Sequence, residues 1–198
     1  MASATLSPLP VACDHEGPRM EKFIIEGGYP LSGTVVPAGN KNAALPVLAA
    51  SLLTEEEVVV RNVPRIRDVV AMLKLLESVG VEWEWRDDNT VSLCAADADP
   101  YGFDPALCEP IRASFLLAGP LLARFGRAHM PPPGGDVIGR RRLDPHLDAF
   151  RALGAEVNLN GRYYIDAPTG LSSCDFFMDE PSVMATENAL MAAALTPG

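Results

Sequence analysis

The stretch Met130–His146, MPPPGGDVIGRRRLDPH, concentrates residue types from which phosphate chemistry can be built. Asp136 is a carboxyl group able to carry a proton, and Arg140, Arg141 and Arg142 follow it closely. Planar guanidinium groups hold phosphate or carboxylate through paired hydrogen bonds, and a positioned acid can protonate what they hold. The Pro-Pro-Pro-Gly-Gly run ahead of them can continue neither a helix nor a central strand, because proline lacks the N–H donor and fixes φ while glycine frees it. A loop presenting one acid beside concentrated positive charge is therefore predicted. Taken alone, an Arg-Arg-Arg run fits a solvated basic turn better, since charge runs usually face water. A second candidate is Lys41, which follows Gly39-Asn40 at the start of an apolar, alanine-rich segment. Helix amino ends favour anions, so Lys41 there is either an anion ligand or a routine first-turn lysine.

Composition limits the partners. The 198-residue chain is 48% apolar with a mean hydropathy of +0.11, enough for a sizeable core. Its net charge of −10 and pI near 4.7 argue against a general nucleic-acid or membrane-surface binder, which needs positive charge over a broad face. The arginine run is then a small-anion site at most. No apolar run reaches the roughly 18 residues needed to cross a bilayer. Cys13, Cys94, Cys108 and Cys174 are widely spaced without a metal-ligand pattern, which reads as reduced thiols in a cytoplasmic protein with no zinc. Residues 1–21 lack the basic and apolar regions of a secretory signal and read as a disordered leader.

The elements that must position these groups recur. Lys22–Gly27 and Gly33–Val36 read as short strands, and Lys41–Leu53 as a buried helix. Glu56–Arg61 reads as a strand, Asp68–Val79 as an amphipathic helix stopped at Gly80, and Val81–Trp85 with Thr90–Cys94 as a hairpin. The same order then follows: an apolar helix Ile111–Phe125, a strand at His129-Met130, an amphipathic helix Asp144–Leu153 stopped at Gly154, and a hairpin of Glu156–Leu159 and Tyr163–Asp166 around Asn160-Gly161. Ser78–Glu82 matches Ala152–Glu156 at a shift of 74, and Asn42–Ala44 matches Arg112–Ser114 at a shift of 70. A third copy opens at Phe176–Met178 and the helix Ser182–Leu195. Units of about 70 residues are longer than common solenoid repeats; repeats are predicted at about 31–96, 103–167 and 170–198. The expected fold is α/β, with the first helices packed inside sheets and second helices. The third copy stops at Gly198 before its strand, second helix and hairpin, so the chain is expected to be truncated.

With these motifs in order, the sequence resembles the enolpyruvyl transferases, and among them the branch with a UDP-N-acetylglucosamine acceptor. The resemblance covers Lys22–Gly198 and rests on Gly39–Pro46 (GNKNAALP), Arg112-Ala113-Ser114, Gly134–Gly139 (GGDVIG), Arg141–His146, Pro181-Ser182-Val183 and Ala185–Asn188 (ATEN). It implies a protein of two lobes, each an inside-out α/β barrel of three repeats, of which this chain carries one incomplete lobe, 22–198. The implied reaction moves the enolpyruvyl group of phosphoenolpyruvate to the 3-hydroxyl of UDP-N-acetylglucosamine, releasing phosphate in the first committed step of peptidoglycan synthesis. No metal or organic cofactor is implied. By matched position, Lys41 and Asn42 meet phosphoenolpyruvate and the sugar, and Arg112 and Arg141 form the phosphate and carboxylate clamp. Arg141, Leu143, Asp144 and His146, with Ser182 and Val183, correspond to segments that hold the uridine and diphosphate. Asp136 stands where many members carry a reactive cysteine and others an aspartate, the proton donor to the enolpyruvyl methylene. Such a carboxyl forms no thioether adduct, which implies insensitivity to the epoxide fosfomycin.

Three positions depart from the family pattern. Arg142 stands where proline is usual, Pro145 where an apolar residue precedes the histidine, and Met184 where glycine is expected, with Glu180 near where a lysine often stands. Glu180 would repel a diphosphate and Met184 would crowd a close backbone contact. Two alternatives follow: an enolpyruvyl transferase with a different nucleotide acceptor, or a truncated module that binds a nucleotide sugar, or a partner chain, without turnover. The resemblance also implies that the general base and a further phosphate-binding arginine come from the second lobe.

Overall fold

The computed structural model describes residues 24–28, 30, 32–135 and 142–198. Residues 37–198 form one compact unit. Its first helix, α1 (Lys41–Ala50), starts where the sequence expects it, because Asn40 is extended and its side chain accepts the Asn42 N–H, 2.7 Å away. A 3₁₀ turn, Ser51–Leu53, extends it. Ala44, Leu45, Leu48, Ala49 and Leu52 recur at helical spacing and face the core, with Leu48 and Leu52 fully buried. Each such leucine contributes roughly 1.5–3 kcal/mol through burial alone.

Strand β1 (Val58–Val60), helix α2 (Arg67–Ser78) and the hairpin β2 (Glu82–Trp85) and β3 (Val91–Cys94) complete the first unit. These strands make an antiparallel sheet of order β1-β3-β2. A short helix α3 (Pro105–Cys108), capped by Asp104, leads into the second unit. A 3₁₀ segment, Arg112–Leu117, then passes into α4 (Ala118–Phe125), followed by β4 (Arg127–Met130), α5 (Asp144–Ala152) and the hairpin β5 (Glu156–Leu159) and β6 (Tyr163–Asp166). The second sheet has order β4-β6-β5, again antiparallel and in the same strand order as the first. Last comes α6 (Val183–Ala193), capped by Ser182 and packed on α4, α5, α1 and the 3₁₀ segment. Helices α1, α4 and α6 and the 3₁₀ segment thus share the interior, and α2 and α5 lie against α1 and α6.

Three sequence expectations are corrected. Residues 24–28 and 32–36 form no strand: Ile24, Ile25, Val35 and Val36 are all more than four-fifths exposed. β-branched composition favours a strand only where another strand pairs with it, and among the described residues none does. Phe176–Met178 is likewise irregular, with Phe177 exposed. The single helix expected over Ile111–Phe125 is two segments, with 3₁₀ geometry giving way to α geometry at Leu117-Ala118 for a reason given below. The predicted leader, residues 1–21, lies outside the described residues.

Candidate functional site

Three adjoining clefts share one side chain, Arg112. The first, about 220 Å³, is lined by Lys41, Asn42, Asp68, Arg112, Gly135 and Met184 among others. The second, about 250 Å³, lies between Arg112, Arg142, His146, Glu180, Ser182–Met184 and their neighbours. The third, about 280 Å³, has an apolar wall of Pro132, Pro133, Leu143, Leu147, Leu159 and Tyr163, with Arg112 and Asp144 as its charged groups. Met184 borders both the first and the second, so its side chain divides them.

Local sequence explains why these groups converge. Lys41 and Asn42 open α1, and Arg112 opens the 3₁₀ segment. Both helical segments run inward from the same rim, so their first residues stand at its surface. The proline-glycine loop is drawn to Arg112 by backbone contacts, with Gly134 N–H donating to the Cys108 carbonyl at 3.3 Å and Gly135 N–H to the Glu109 carbonyl at 2.9 Å. A Cβ on Gly134 would lie 1.8 Å from the Glu109 oxygen, and Gly135 adopts φ +94 against the Arg112 backbone. Only glycines allow that approach, which delivers the chain to the Lys41–Arg112 cleft one residue before Asp136. Asp136 and Arg141 themselves lie outside the described residues.

Charges at the rim are internally balanced. Lys41 Nζ meets Asp68 Oδ2 at 2.7 Å, both roughly two-fifths exposed or more. An exposed pair of this kind stabilises by at most about 1 kcal/mol, so an anion can compete for the lysine at small cost. Arg112 donates to the Arg142 carbonyl at 2.9 Å. Arg142 pairs with Asp144 at 2.9 Å and approaches Glu180 at 3.7 Å and Asp179 at 3.9 Å. The guanidinium read in the sequence as part of a basic run is therefore surrounded by carboxylates.

Other predicted residues are placed as follows. Leu143 and Asp144 line the third cleft; Ser182 and Val183 line the second, with Ser182 also capping α6. His146 borders the second cleft but is only 2% exposed; burial, aided by the Arg112 charge, lowers its pKa to about 4. Its ring is neutral at pH 7, packs edge-on against Phe115 and hydrogen-bonds through Nδ1 to Asn188 Nδ2 at 3.1 Å. Since the amide nitrogen donates, the imidazole proton is on Nε2. Tyr163 and Asn188 were missed from sequence. Burial raises the pKa of the Tyr163 phenol, keeping it a neutral donor in the third cleft. Asn188 belongs to the ATEN motif, where the sequence assigns it no role, and it is polar on the face of α6 that also carries Ala185, Met191 and Ala192 inward.

A chain presenting lysine, asparagine and arginine on one cleft can hold a compact polyanion and orient a hydroxyl beside it. The model of the EPSP synthase (3-phosphoshikimate 1-carboxyvinyltransferase) family matches residues 25–198. The chain belongs to this family. Among curated relatives, it is 54% identical over 177 residues to a UDP-N-acetylglucosamine 1-carboxyvinyltransferase of Bradyrhizobium diazoefficiens, covering 89% of this chain and 41% of the relative. It is 48% identical to the enzyme of the same name from Treponema denticola, covering 90% of this chain and 42% of the relative. The chain thus spans about two-fifths of the length of these family members. Among solved structures it resembles the enolpyruvyl transferase NikO from Streptomyces tendae, with TM-score 0.69, 22% identity, and coverage of 87% of this chain and 40% of that one. It also resembles EPSP synthase from Acinetobacter baumannii, with TM-score 0.62, 18% identity, and coverage of 84% and 39%. These two share the fold of this family. Among the described residues, no cluster of His, Cys, Asp and Glu could hold a metal ion, and no helix is long and apolar enough to cross a membrane. Cys94, Cys108 and Cys174 are free thiols.

Proposed function

We propose that this chain supplies one substrate-binding lobe of a cytoplasmic enolpyruvyl transferase that moves the enolpyruvyl group of phosphoenolpyruvate to the 3-hydroxyl of UDP-N-acetylglucosamine, for peptidoglycan synthesis. The observation that carries this reading is the meeting of Lys41, Asn42 and Arg112 on one cleft with Gly135, the residue before Asp136. Lys41 and Arg112 hold the phosphate and carboxylate, joined by Arg141. Asn42 orients the attacking hydroxyl. Asp136, protonated, gives its proton to the methylene carbon as the hydroxyl oxygen bonds to the neighbouring carbon and a general base of the second lobe takes the hydroxyl proton; loss of a methyl proton then restores the double bond as phosphate leaves. The apolar third cleft suits a nucleobase, with Asp144 as hydrogen-bond acceptor, and Ser182 and Val183 line the path between. In this reading the two helix–strand–helix–hairpin units are the first two repeats of an inside-out α/β barrel, α6 opens the third, and a second lobe supplies the general base and a further arginine.

A second reading, a module that binds a nucleotide sugar without turnover or acts on another nucleotide acceptor, is favoured by one observation. Glu180, Asp179 and Asp144 crowd Arg142 where a diphosphate would need net positive charge. Calorimetric titration of the 198-residue chain with phosphoenolpyruvate and UDP-N-acetylglucosamine separates the two. Weak binding of both, no transfer by the chain alone, and phosphate release once it is co-expressed with the remaining length of a relative support the transferase. Binding of the nucleotide sugar with no phosphate release in that combined particle supports the module. Replacing Asp136 by asparagine in the active particle should abolish turnover while leaving nucleotide-sugar binding intact, because the amide keeps the shape without the proton. Fosfomycin should leave no covalent adduct at Asp136 in a mass spectrum.

A further inference from the structure

Asn188 lies on none of the three clefts, yet its side chain bonds two of the segments that border them. It is fully buried in α6. Its Oδ1 accepts the Gly119 N–H at 2.7 Å, and its Nδ2 donates to the Phe115 carbonyl at 2.7 Å and to His146 Nδ1 at 3.1 Å. Gly119 and Phe115 are four residues apart, the spacing of an ordinary helical hydrogen bond. The carboxamide is inserted where that bond would be, splitting one helix into the Arg112–Leu117 segment and α4. Gly119 is required for the insertion, since a Cβ there would lie 2.4 Å from both the Asn188 carbonyl and its Oδ1.

These bonds close a ring. From Arg112 the chain runs three residues to Phe115, the Asn188 amide crosses to His146, the chain runs back four residues to Arg142, and the Arg142 carbonyl accepts from Arg112 at 2.9 Å. We propose that Asn188 is a positioning residue, whose carboxamide ties the segment bearing Arg112 to the segment bearing Arg142 and so fixes the guanidinium of Arg112 at the junction of the clefts. The proposal rests on reading the Lys41–Arg112 cleft as an anion site. An amide suits the role where other side chains of its size do not. A carboxylate has no N–H for Phe115 or the imidazole, and leucine has neither donor nor acceptor.

The test uses the 198-residue chain and inorganic phosphate. In the wild type, nitrogen magnetic resonance should show a coupling across the Asn188 Nδ2–His146 Nδ1 hydrogen bond, and slowed proton exchange at the Arg112 guanidinium. Asn188→Asp keeps the shape and the bond from Gly119. It is expected to return Arg112 to fast exchange and to weaken phosphate binding at least tenfold. Met191→Ala opens a cavity in the same helix and serves as the control, expected to lower the melting temperature while leaving Arg112 exchange unchanged. Wild-type exchange at Arg112 in a folded Asn188→Asp chain overturns the proposal, as does an equal loss in Met191→Ala. Should the aspartate variant fail to fold, a missing coupling in the wild type still overturns it and its presence supports it. No phosphate binding by the wild type sinks the anion-site reading instead, and Arg112 exchange then decides the positioning role alone.

Discussion

The two repeated units solve the same problem, a proline inside an interior helix, in different ways. Pro46 in α1 removes the N–H that would bond the Asn42 carbonyl, and Pro120 in α4 removes the one for Leu116. Asn42 is exposed in the first turn, where water can satisfy its carbonyl, and α1 continues as a regular helix. Leu116 is 1% exposed, and the chain before Ala118 is in 3₁₀ geometry, with the Asn188 amide bonded to the neighbouring Phe115 carbonyl and Gly119 N–H rather than to Leu116. The first proline leaves its helix regular, whereas the second lies beside a change of helix geometry at which a side chain 69 residues away bonds the backbone.

Breaking those bonds should have the largest effect. Asn188→Leu orphans the Gly119 N–H and His146 Nδ1 in the interior, each at about 1–3 kcal/mol, so a loss of about 2–6 kcal/mol is expected in urea unfolding. Pro46→Ala in α1 removes no buried partner and should leave stability unchanged or slightly higher. A similar loss from both would mean that solvent access is not what separates the two helices.

The same buried node sets a pH dependence between pH 6.5 and 4, a range in which the first unit carries no histidine. His146 has a folded pKa of about 4, set by burial and then by the Arg112 charge, against an ordinary value of 6.5. The unfolded chain therefore binds a proton between these values that the folded chain refuses, so stability is intact above pH 6.5 and falls as pH drops toward 4, by about 3 kcal/mol in all. Asp87, lowered chiefly by the Asn89 backbone N–H, adds loss only below 3.8, and Glu187, raised by burial, acts in the opposite sense. His146→Gln should flatten the melting-temperature profile between pH 6.5 and 5, where these carboxylates contribute least.

Ligand binding compares the two helix starts directly. Arg112 borders all three clefts, whereas Lys41 borders one and already faces Asp68. Arg112→Ala should weaken phosphate or phosphoenolpyruvate binding by about 1.5–3 kcal/mol and Lys41→Ala by less, read by calorimetry. Equal losses would mean that the first cleft alone holds the anion.

Local signals made most of this architecture legible. Asn40 before an apolar run, the stops at Gly80 and Gly154, and the turns at Asp87–Asn89 and Asn160-Gly161 each act within a few residues, and the elements follow them. The shift of 70 residues sets Asn42 and Arg112 in register, and both line one cleft. What escaped depends on distant partners. Ile24 and Ile25 look like a strand, but a strand is a property of two segments. His146 reads as a ligand beside Asp144 and turns its ring into the core because Phe115 and Asn188 meet it there. Arg142 reads as part of a cationic run, and its charge is met by Asp179 and Glu180, remote in sequence.

The smallest expected effect concerns the caps. Asn40 accepts from Asn42 N–H at 2.7 Å and Ser182 from Ala185 N–H at 3.2 Å, so α1 and α6 are closed by the same device at different lengths. Replacing an Asn or Ser cap by alanine costs about 1 kcal/mol, which in a domain of this size moves the melting temperature by about 2–4 °C. The shorter, better-formed bond at Asn40 should sit at the upper end and Ser182 below it. Asn40 also holds the turn from which Lys41 projects, so Asn40→Ala should weaken phosphate binding slightly as well as stability. Ser182→Ala should leave phosphate binding nearly unchanged, because Ser182 lines the cleft without Lys41. A larger binding loss from Ser182→Ala than from Asn40→Ala would move the anion to the second cleft, beside Arg142, and reverse the assignment of the two.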